Sequence, residues 1–219
     1  IRAQGSSDAA RGAMFERLVA AYLRTDPTYA EQFSQVWLWQ DWPGREHRHD
    51  TGIDLVAVEA RTGDLVAVQC KLYAPTTTVA KPDIDSFLAA SGKHGFRRRI
   101  IVSTTDRWNR HAEEALQGQQ IPVTRLSLSD LDASGIDWAR FSPTRPDDLS
   151  LSPKKSLWPY QQSAVNDVTD GLGVHHRGKL IMACGTGKTF TALRLAEQMV
   201  GGGGSVLFLV PSISLLSQS

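Results

Sequence analysis

An acid, an amide and an amine lie on two segments whose composition predicts neighbouring strands. Asp54 precedes a run of Val and Leu, and Gln69 and Lys71 end a second such run after the turn at 61–64. Side chains two apart in a strand share a face, so Gln69 and Lys71 are predicted to point the same way, with Asp54 beside them. This set suits phosphodiester hydrolysis, because oxygen ligands bind a hard cation such as Mg²⁺ and an amine stabilises charge on phosphorus.

The residues around this triple complete a predicted metal site. The Asp54 carboxylate, the Gln69 amide oxygen and the backbone carbonyl of Cys70 are the expected ligands of Mg²⁺. Lys71 would orient the attacking water, whose pKa the metal lowers. Glu16 would be a further ligand, directly or through water. The alternative is an ordinary hairpin with exposed Asp, Gln and Lys, since such triples are common.

Apolar periodicity predicts the elements that position these residues. The order of the first elements is helix, three strands, helix, strand, helix, strand, which indicates an α/β domain with a mixed sheet flanked by helices. In residue numbers, the predictions are a helix over 8–24, strands over 35–42, 53–60 and 65–72, a helix over 82–93, a strand over 100–103, a helix over 108–117, a strand over 121–126 and short helix over 128–141.

The composition changes after residue 143. Residues 144–156 are rich in proline, serine and aspartate, as is typical of a linker, so 1–143 is predicted to be one domain. From 157 to 219 the pattern predicts one βαβ unit after a first helix. Its elements are helices over 160–172 and 188–200 and strands over 179–182 and 206–210.

A glycine-rich loop stands between the predicted strand and helix of this second unit. Glycines let the backbone turn tightly with its N–H groups inward, where they and the helix N-terminus attract a phosphate. Lys188 would reach the β- and γ-phosphates of ATP, and Thr189 would bind its Mg²⁺. The predicted loop residues are Gly185, Thr186, Gly187, Lys188 and Thr189.

The charge and the composition limit where a basic surface can lie and in which compartment the chain is expected. The net charge is +1, so any basic surface must be local, and no apolar run is long enough to predict a membrane span. Two distant cysteines without metal-type spacing favour a reducing, cytoplasmic location.

His47, His49 and Asp50 are metal-ligand candidates, with a solvated loop as the favoured alternative. A second cluster predicts either DNA phosphate contacts or a solvated face: Lys93, Arg97, Arg98 and Arg99.

The first domain resembles the Mrr-like branch of the PD-(D/E)xK nuclease superfamily. The resembling segments are the helical Phe15-Glu16 pair, residues 52–55 and residues 68–71. Gln69 stands where the wider superfamily has Glu or Asp, although Gln is frequent in the Mrr branch. The resemblance covers roughly residues 8–140 and implies a Mg²⁺-dependent endonuclease acting on double-stranded DNA, with Asp54, Gln69 and Lys71 in its active site.

The second unit resembles the start of a superfamily 2 helicase-like ATPase. Its loop is similar to motif I, with Met182 in the place of the first glycine, and residues 206–212 resemble motif Ia. Residues 157–161 resemble the adenine-reading segment, which implies that Gln161 binds the adenine edge. The resemblance makes this unit a truncated first RecA-like lobe. Because the sequence ends before a Walker B acidic pair, the motor is expected to be incomplete here.

A nuclease followed by such a motor resembles the type ISP restriction-modification enzymes, and residues 128–138 resemble their nuclease–motor junction. This implies ATP-driven translocation along duplex DNA. It also implies downstream motor, coupler, methyltransferase and target-recognition domains on the same polypeptide. Three alternatives stay open: the motor subunit of a type I restriction enzyme, a non-cutting DNA clamp on a remodelling helicase, and a repair or recombination nuclease-helicase.

Overall fold

A computed structural model describes residues 7–45, 52–93, 95–142, 144–201 and 204–209. The chain divides into two compact units, Ile1–Pro153 and Lys154–Ser219, each of which is described by itself. Among the described residues, no helix is both long and apolar enough to cross a membrane.

The first unit contains five helices and five strands among its described residues. The helices are α1 (Asp8–Thr25), α2 (Pro27–Gln32), α3 (Pro82–Lys93), α4 (Arg110–Leu116) and α5 (Leu128–Asp132), and the strands are β1 (Phe33–Leu38), β2 (Leu55–Glu59), β3 (Leu65–Lys71), β4 (Arg98–Ser103) and β5 (Val123–Leu126).

The five strands form one mixed sheet in the order β1-β2-β3-β4-β5, which confirms the predicted α/β class. The first three strands are antiparallel, and β3, β4 and β5 are parallel. Gly63, in the left-handed region at φ 75°, allows the tight turn that joins β2 to β3. Parallel neighbours need a crossover, and α3 and α4 supply the two crossovers.

Alternation along β3 builds a core on each face of the sheet. Val66 and Val68 pack with α1 residues such as Val19 on one face. Ala67 packs with Phe87 of α3 on the other. Because side chains alternate, Gln69 and Lys71 belong to the α3 face, and Cys70 belongs to the α1 face.

The strand predicted over 35–42 ends at Leu38, and Trp39–Asp41 forms a 3-10 helix instead. Two further segments of the first unit differ from the sequence prediction. The Asp26-Pro27 pair ends α1 as expected, but it also begins α2, because the Asp26 carboxylate accepts a hydrogen bond from Thr28 N at 3.0 Å. Within the predicted linker, Asp147 forms an ion pair with Arg17, and Leu151 forms a β-bridge with Ile136. That part of the linker therefore packs on the first unit.

The second unit contains the helices α6 (Pro159–Val174) and α7 (Lys188–Val200). The strands predicted over 179–182 and 206–210 are not formed in the described residues, so that part of the βαβ prediction was wrong. An extended segment becomes a strand only beside a partner that completes its hydrogen bonds, and neither segment has such a partner in the described part of the chain. Their apolar side chains stay outside, with Ile181 88% exposed.

Candidate active site

The backbone on both sides fixes Asp54 at the entrance to β2. Its N–H donates to Val68 O at 2.9 Å, and its carbonyl accepts from Trp39 N at 2.8 Å. Its side-chain Oδ2 accepts a hydrogen bond from Cys70 N at 2.6 Å. The carboxylate therefore lies against the end of β3, next to the predicted Gln69–Lys71 segment.

The Gln69 side chain is buried, with 2% of its surface exposed, and only half of its amide has a partner. Nε2 donates to Gly52 O at 3.1 Å. Because a carbonyl accepts but cannot donate, this contact sets the orientation of the amide. Oε1 is buried without a hydrogen-bond partner among the described residues. A buried oxygen of this kind requires a cation or a donor that the described part of the chain does not supply.

A cavity of about 200 Å³ brings Asp54 together with Glu16 of α1. The rest of its wall comes from the chain after β1 and from the residue before Asp54: Leu38, Trp39, Gln40, Arg45 and Ile53. Two carboxylates that are 38 residues apart in sequence thus line one small space, as the sequence predicted for Glu16.

The pKa of the Cys70 thiol also reflects the proximity of Asp54 and Glu16. Burial raises the pKa of the Cys70 thiol, the Asp54 and Glu16 carboxylates raise it further, and the Lys71 ammonium lowers it. Three of the predicted site residues therefore act on one side chain. The N–H and C=O of a strand residue face the same neighbour, so the Cys70 carbonyl lies on the Asp54 side of β3, as a metal ligand there would require.

The donor set fits a hard divalent cation. Asp54, Glu16 and Gln69 offer carboxylate and amide oxygens, which are the ligands that Mg²⁺ prefers, and Gln69 Oε1 lacks any other partner in the described chain. No cluster of three His, Cys, Asp or Glu side chains suited to a metal occurs among the described residues. A site built from the described residues alone would therefore include amide or backbone oxygens. His47, His49 and Asp50 lie outside the described residues.

Arg99 corrects one of the DNA-binding predictions. It is 3% exposed and donates to Ser91 Oγ at 2.7 Å, Gln119 Oε1 at 2.9 Å and Leu88 O at 2.9 Å. Burial lowers its pKa. These three hydrogen bonds hold the Arg99 side chain inside the first unit, so it cannot reach DNA.

The other predicted DNA-binding residues differ in their surroundings. Arg98 is half-buried and pairs with Glu59 at 3.3 Å. Lys93 and Arg97 are exposed. Trp39 and Trp42 belong to the core on the α3 face.

In the second unit, two glycines of the predicted phosphate loop have positive φ angles. Gly185 and Gly187 have φ of 76° and 75°, a region that favours glycine. Lys188 begins α7, and its Nζ donates to Ala183 O at 3.1 Å and to Met182 O at 3.4 Å. Thr189 is exposed in the first turn of α7. Val210, Pro211 and Ser212 of the segment similar to motif Ia lie outside the described residues.

Gln161 connects α6 to this loop. It is 3% exposed, its Nε2 donates to Thr186 O at 2.9 Å, and its Oε1 accepts from Trp158 N at 2.9 Å. A Cβ at Gly187 would lie 2.7 Å from Gln161 Nε2, so the close packing needs glycine. The predicted adenine contact would require Gln161 to exchange these bonds.

Comparison with known proteins identifies the family. Residues 24–148, more than half of the chain, match the family model described as "Restriction endonuclease". The chain belongs to this restriction endonuclease family. Residues 154–219 match a second model, "Type III restriction enzyme, res subunit".

Two solved enzyme structures are similar to this restriction endonuclease to different degrees. The chain is similar to the ATP-dependent type ISP restriction-modification enzyme LlaBIII, solved bound to DNA, with 41% identity and a TM-score of 0.75. That match covers 94% of this chain and 13% of LlaBIII. The modification-dependent endonuclease AspBHI is more distant, at 16% identity and a TM-score of 0.38 over 61% of this chain and 33% of its own. The search of curated proteins gave no match.

Proposed function

We propose that the first unit is a Mg²⁺-dependent endonuclease that hydrolyses phosphodiester bonds of duplex DNA. The observation that carries this proposal is the unpartnered Gln69 Oε1, buried beside a segment whose Asp54 carboxylate lines a cavity with Glu16. Membership of the restriction endonuclease family supports the same chemistry.

Each side chain has a distinct role in the proposed reaction. Asp54, Gln69 Oε1 and the Cys70 carbonyl would hold the metal, with Glu16 as a further ligand or a water-mediated one. When bound, Mg²⁺ polarises the phosphate and lowers the pKa of its water. Lys71 would orient the attacking water and stabilise the negative charge that develops on the phosphoryl oxygens.

The second unit is proposed to bind ATP through Lys188 and Thr189 at the start of α7. Its glycine backbone and the match of residues 154–219 support this role. Because 41% identity extends over both units of the chain, we infer that the whole protein is a translocating enzyme of the type ISP kind. Its motor would then bring the nuclease to the cleavage point on double-stranded DNA.

Nicking of supercoiled plasmid by the chain, with Mg²⁺ or Mn²⁺ and with chelator, tests the nuclease. The wild-type chain is expected to nick DNA only with metal. Lys71→Ala is expected to lower the rate by roughly 100-fold or more with DNA affinity unchanged, since it removes transition-state stabilisation. Lys81→Ala is the matched control, because Lys81 is an exposed lysine that pairs with Asp85 and is not one of the predicted DNA contacts.

A wild-type chain that binds duplex DNA but never nicks it in either metal would refute the proposal. That outcome would favour the alternative of a non-cutting clamp. A Lys71→Ala chain that nicks at the wild-type rate would remove Lys71 from the active site.

A further inference from the structure

The cavity that holds Asp54 and Glu16 also has a donor side. Trp39 and Arg45 line the same 200 Å³ space. Trp39 is 5% exposed, and its indole Nε1 is buried without a hydrogen-bond partner among the described residues. An indole N–H can only donate, so an acceptor for it must come from elsewhere.

The chain after β1 positions these two residues through short backbone contacts. Trp39 N donates to Asp54 O at 2.8 Å, which joins the start of this segment to the predicted metal ligand. The Trp39 ring lies 5.4 Å from the ring of Trp42. Arg45 N donates to Trp42 O at 3.1 Å, closing a tight turn.

Glycine makes that turn possible. A Cβ at Gly44 would approach the Trp42 ring to 2.5 Å, so only glycine fits there. Arg45 is half-buried at the end of the turn, and its Nη1 lies 3.5 Å from Gln40 O. The guanidinium is therefore held at the wall of the cavity by a well-packed turn.

Two buried side-chain atoms lack a hydrogen-bond partner among the described residues, and they require partners of opposite type. Gln69 Oε1 needs a positive or donating partner, and Trp39 Nε1–H needs an accepting one. Gln69 Nε2 donates to Gly52 O, and Trp39 N donates to Asp54 O, so both residues are held to the segment that carries Asp54. A cation on Asp54 with a phosphate beside it would offer a partner of each kind. Arg45 adds a positive charge to the donor side, and a guanidinium matches phosphate oxygens in geometry.

We propose that Trp39 and Arg45 bind the non-bridging oxygens of the DNA phosphodiester that is cut. The inference rests on the proposed nuclease function and assigns the substrate-binding side of its site. Trp39 donates one neutral hydrogen bond, and Arg45 donates charged ones. Both contacts form with DNA, so neither residue is needed for metal binding alone.

Three variants test this assignment against a matched control. Trp39→Phe removes the N–H and keeps an aromatic core residue, and Arg45→Ala removes the charge, which Arg45→Lys restores. Trp37→Phe is the control, because Trp37 packs against the same core and does not line the cavity. Each variant is measured in three ways: Mn²⁺ affinity without DNA, duplex affinity in Ca²⁺ as a function of salt, and kcat and KM for plasmid nicking in Mg²⁺.

Arg45→Ala is expected to reduce the slope of log affinity against log salt by about one, the value for one lost phosphate contact. Its kcat/KM for nicking is expected to fall roughly tenfold or more, with partial rescue by Arg45→Lys. Trp39→Phe is expected to lower kcat/KM severalfold with an unchanged salt slope, because it removes a neutral donor. The Mn²⁺ affinity of each variant, and all three measurements on the Trp37→Phe control, are expected to stay at wild-type values.

Two outcomes would overturn the assignment. A wild-type salt slope and wild-type nicking in Arg45→Ala and Trp39→Phe would show that neither residue contacts the phosphate. Loss of Mn²⁺ affinity in both variants would show that they support the metal ligands instead. If the wild-type chain does not nick at all, the proposed nuclease fails, while the salt slope still decides the phosphate contact.

Discussion

The arginines at 97–99 differ in environment although they are adjacent in sequence. Arg97 is exposed, Arg98 is half-buried against Glu59, and Arg99 is buried in a network with Ser91 and Gln119. A count of basic residues cannot separate these cases, because it does not include the packing of α3 on the sheet. The sequence prediction therefore grouped a structural residue with candidate DNA contacts.

Substitution of these arginines should separate stability from DNA binding. Arg99→Ala is expected to lower the free energy of unfolding by about 2–3 kcal/mol, because it removes charged hydrogen bonds from a buried network. Arg97→Ala is expected to leave stability unchanged and to reduce the salt slope of DNA binding by about one. Urea unfolding and titration with duplex DNA measure the two effects. The interpretation fails if Arg99→Ala weakens DNA binding in a chain that keeps its wild-type stability.

At the scale of elements, the β2–β3 hairpin with its flanking glycines brings the site together. Gly52 has φ of +83°, and its carbonyl oxygen accepts a hydrogen bond from Gln69 Nε2. Gly63 has φ of +75° in the turn between β2 and β3. An alanine at either position is strained by the backbone alone. Only Gly52 is close to other atoms, since a Cβ there would lie 2.9 Å from Ser86 Oγ.

Alanine at these two glycines provides a matched pair. Both Gly52→Ala and Gly63→Ala are expected to destabilise the fold by about 1 kcal/mol or more, because a side chain disfavours positive φ. Only Gly52→Ala is expected to reduce plasmid nicking strongly, since it displaces the segment that carries Asp54. Thermal unfolding and nicking rates of the two variants measure this. Equal nicking by both variants would argue against a role for the Gly52 segment in the site.

The predicted phosphate loop of the second unit carries an exposed cysteine that would report on nucleotide binding. Cys184 is exposed, whereas burial together with the Asp54 and Glu16 carboxylates raises the pKa of Cys70. A raised pKa keeps the Cys70 thiol protonated at pH 8, so the reactive thiolate is scarce there. The same shift means that ionisation of Cys70 in the unfolded chain destabilises the fold as the pH rises above the usual thiol pKa.

Thiol labelling at pH 8 is expected to modify Cys184 rapidly and Cys70 slowly. ATP with Mg²⁺ is expected to protect Cys184, because the bound phosphates would cover the loop. Lys188→Ala is the control and should lose most of this protection. Peptide mass mapping over time measures both thiols. Equal labelling of Cys184 with and without saturating ATP would contradict nucleotide binding at this loop.

The mixed sheet, helix α3 and helix α7 could be predicted because apolar periodicity and capping are local signals. Helix α2 was missed because Asp26-Pro27 indicates both the end of one helix and the start of the next. The strands expected around the predicted phosphate loop are not formed in the described residues, since a strand depends on a partner that its own sequence does not contain. The burial of Gln69 Oε1 and Trp39 Nε1 also depends on distant segments, so the sequence could name Gln69 as a ligand but gave no signal for the donor side.

In the whole molecule, both sheet cores and every predicted ligand of the nuclease metal belong to the unit Ile1–Pro153. A chain that ends at Pro153 is therefore expected to fold by itself with a single cooperative transition. It should keep metal-dependent nicking at about the rate of the 219-residue chain. Circular dichroism on heating and a plasmid assay test this. Failure of the shortened chain to fold would show that the second unit is part of the first unit's core.

An anomalous diffraction map from crystals of the chain soaked in Mn²⁺ tests directly whether Asp54 and Gln69 share one metal ion. The proposed site predicts one strong peak bonded to both an Asp54 carboxylate oxygen and Gln69 Oε1, at about 2 Å from each. A peak that contacts only one of them, or a fully occupied metal elsewhere with these two side chains unliganded, would contradict the proposed cutting site.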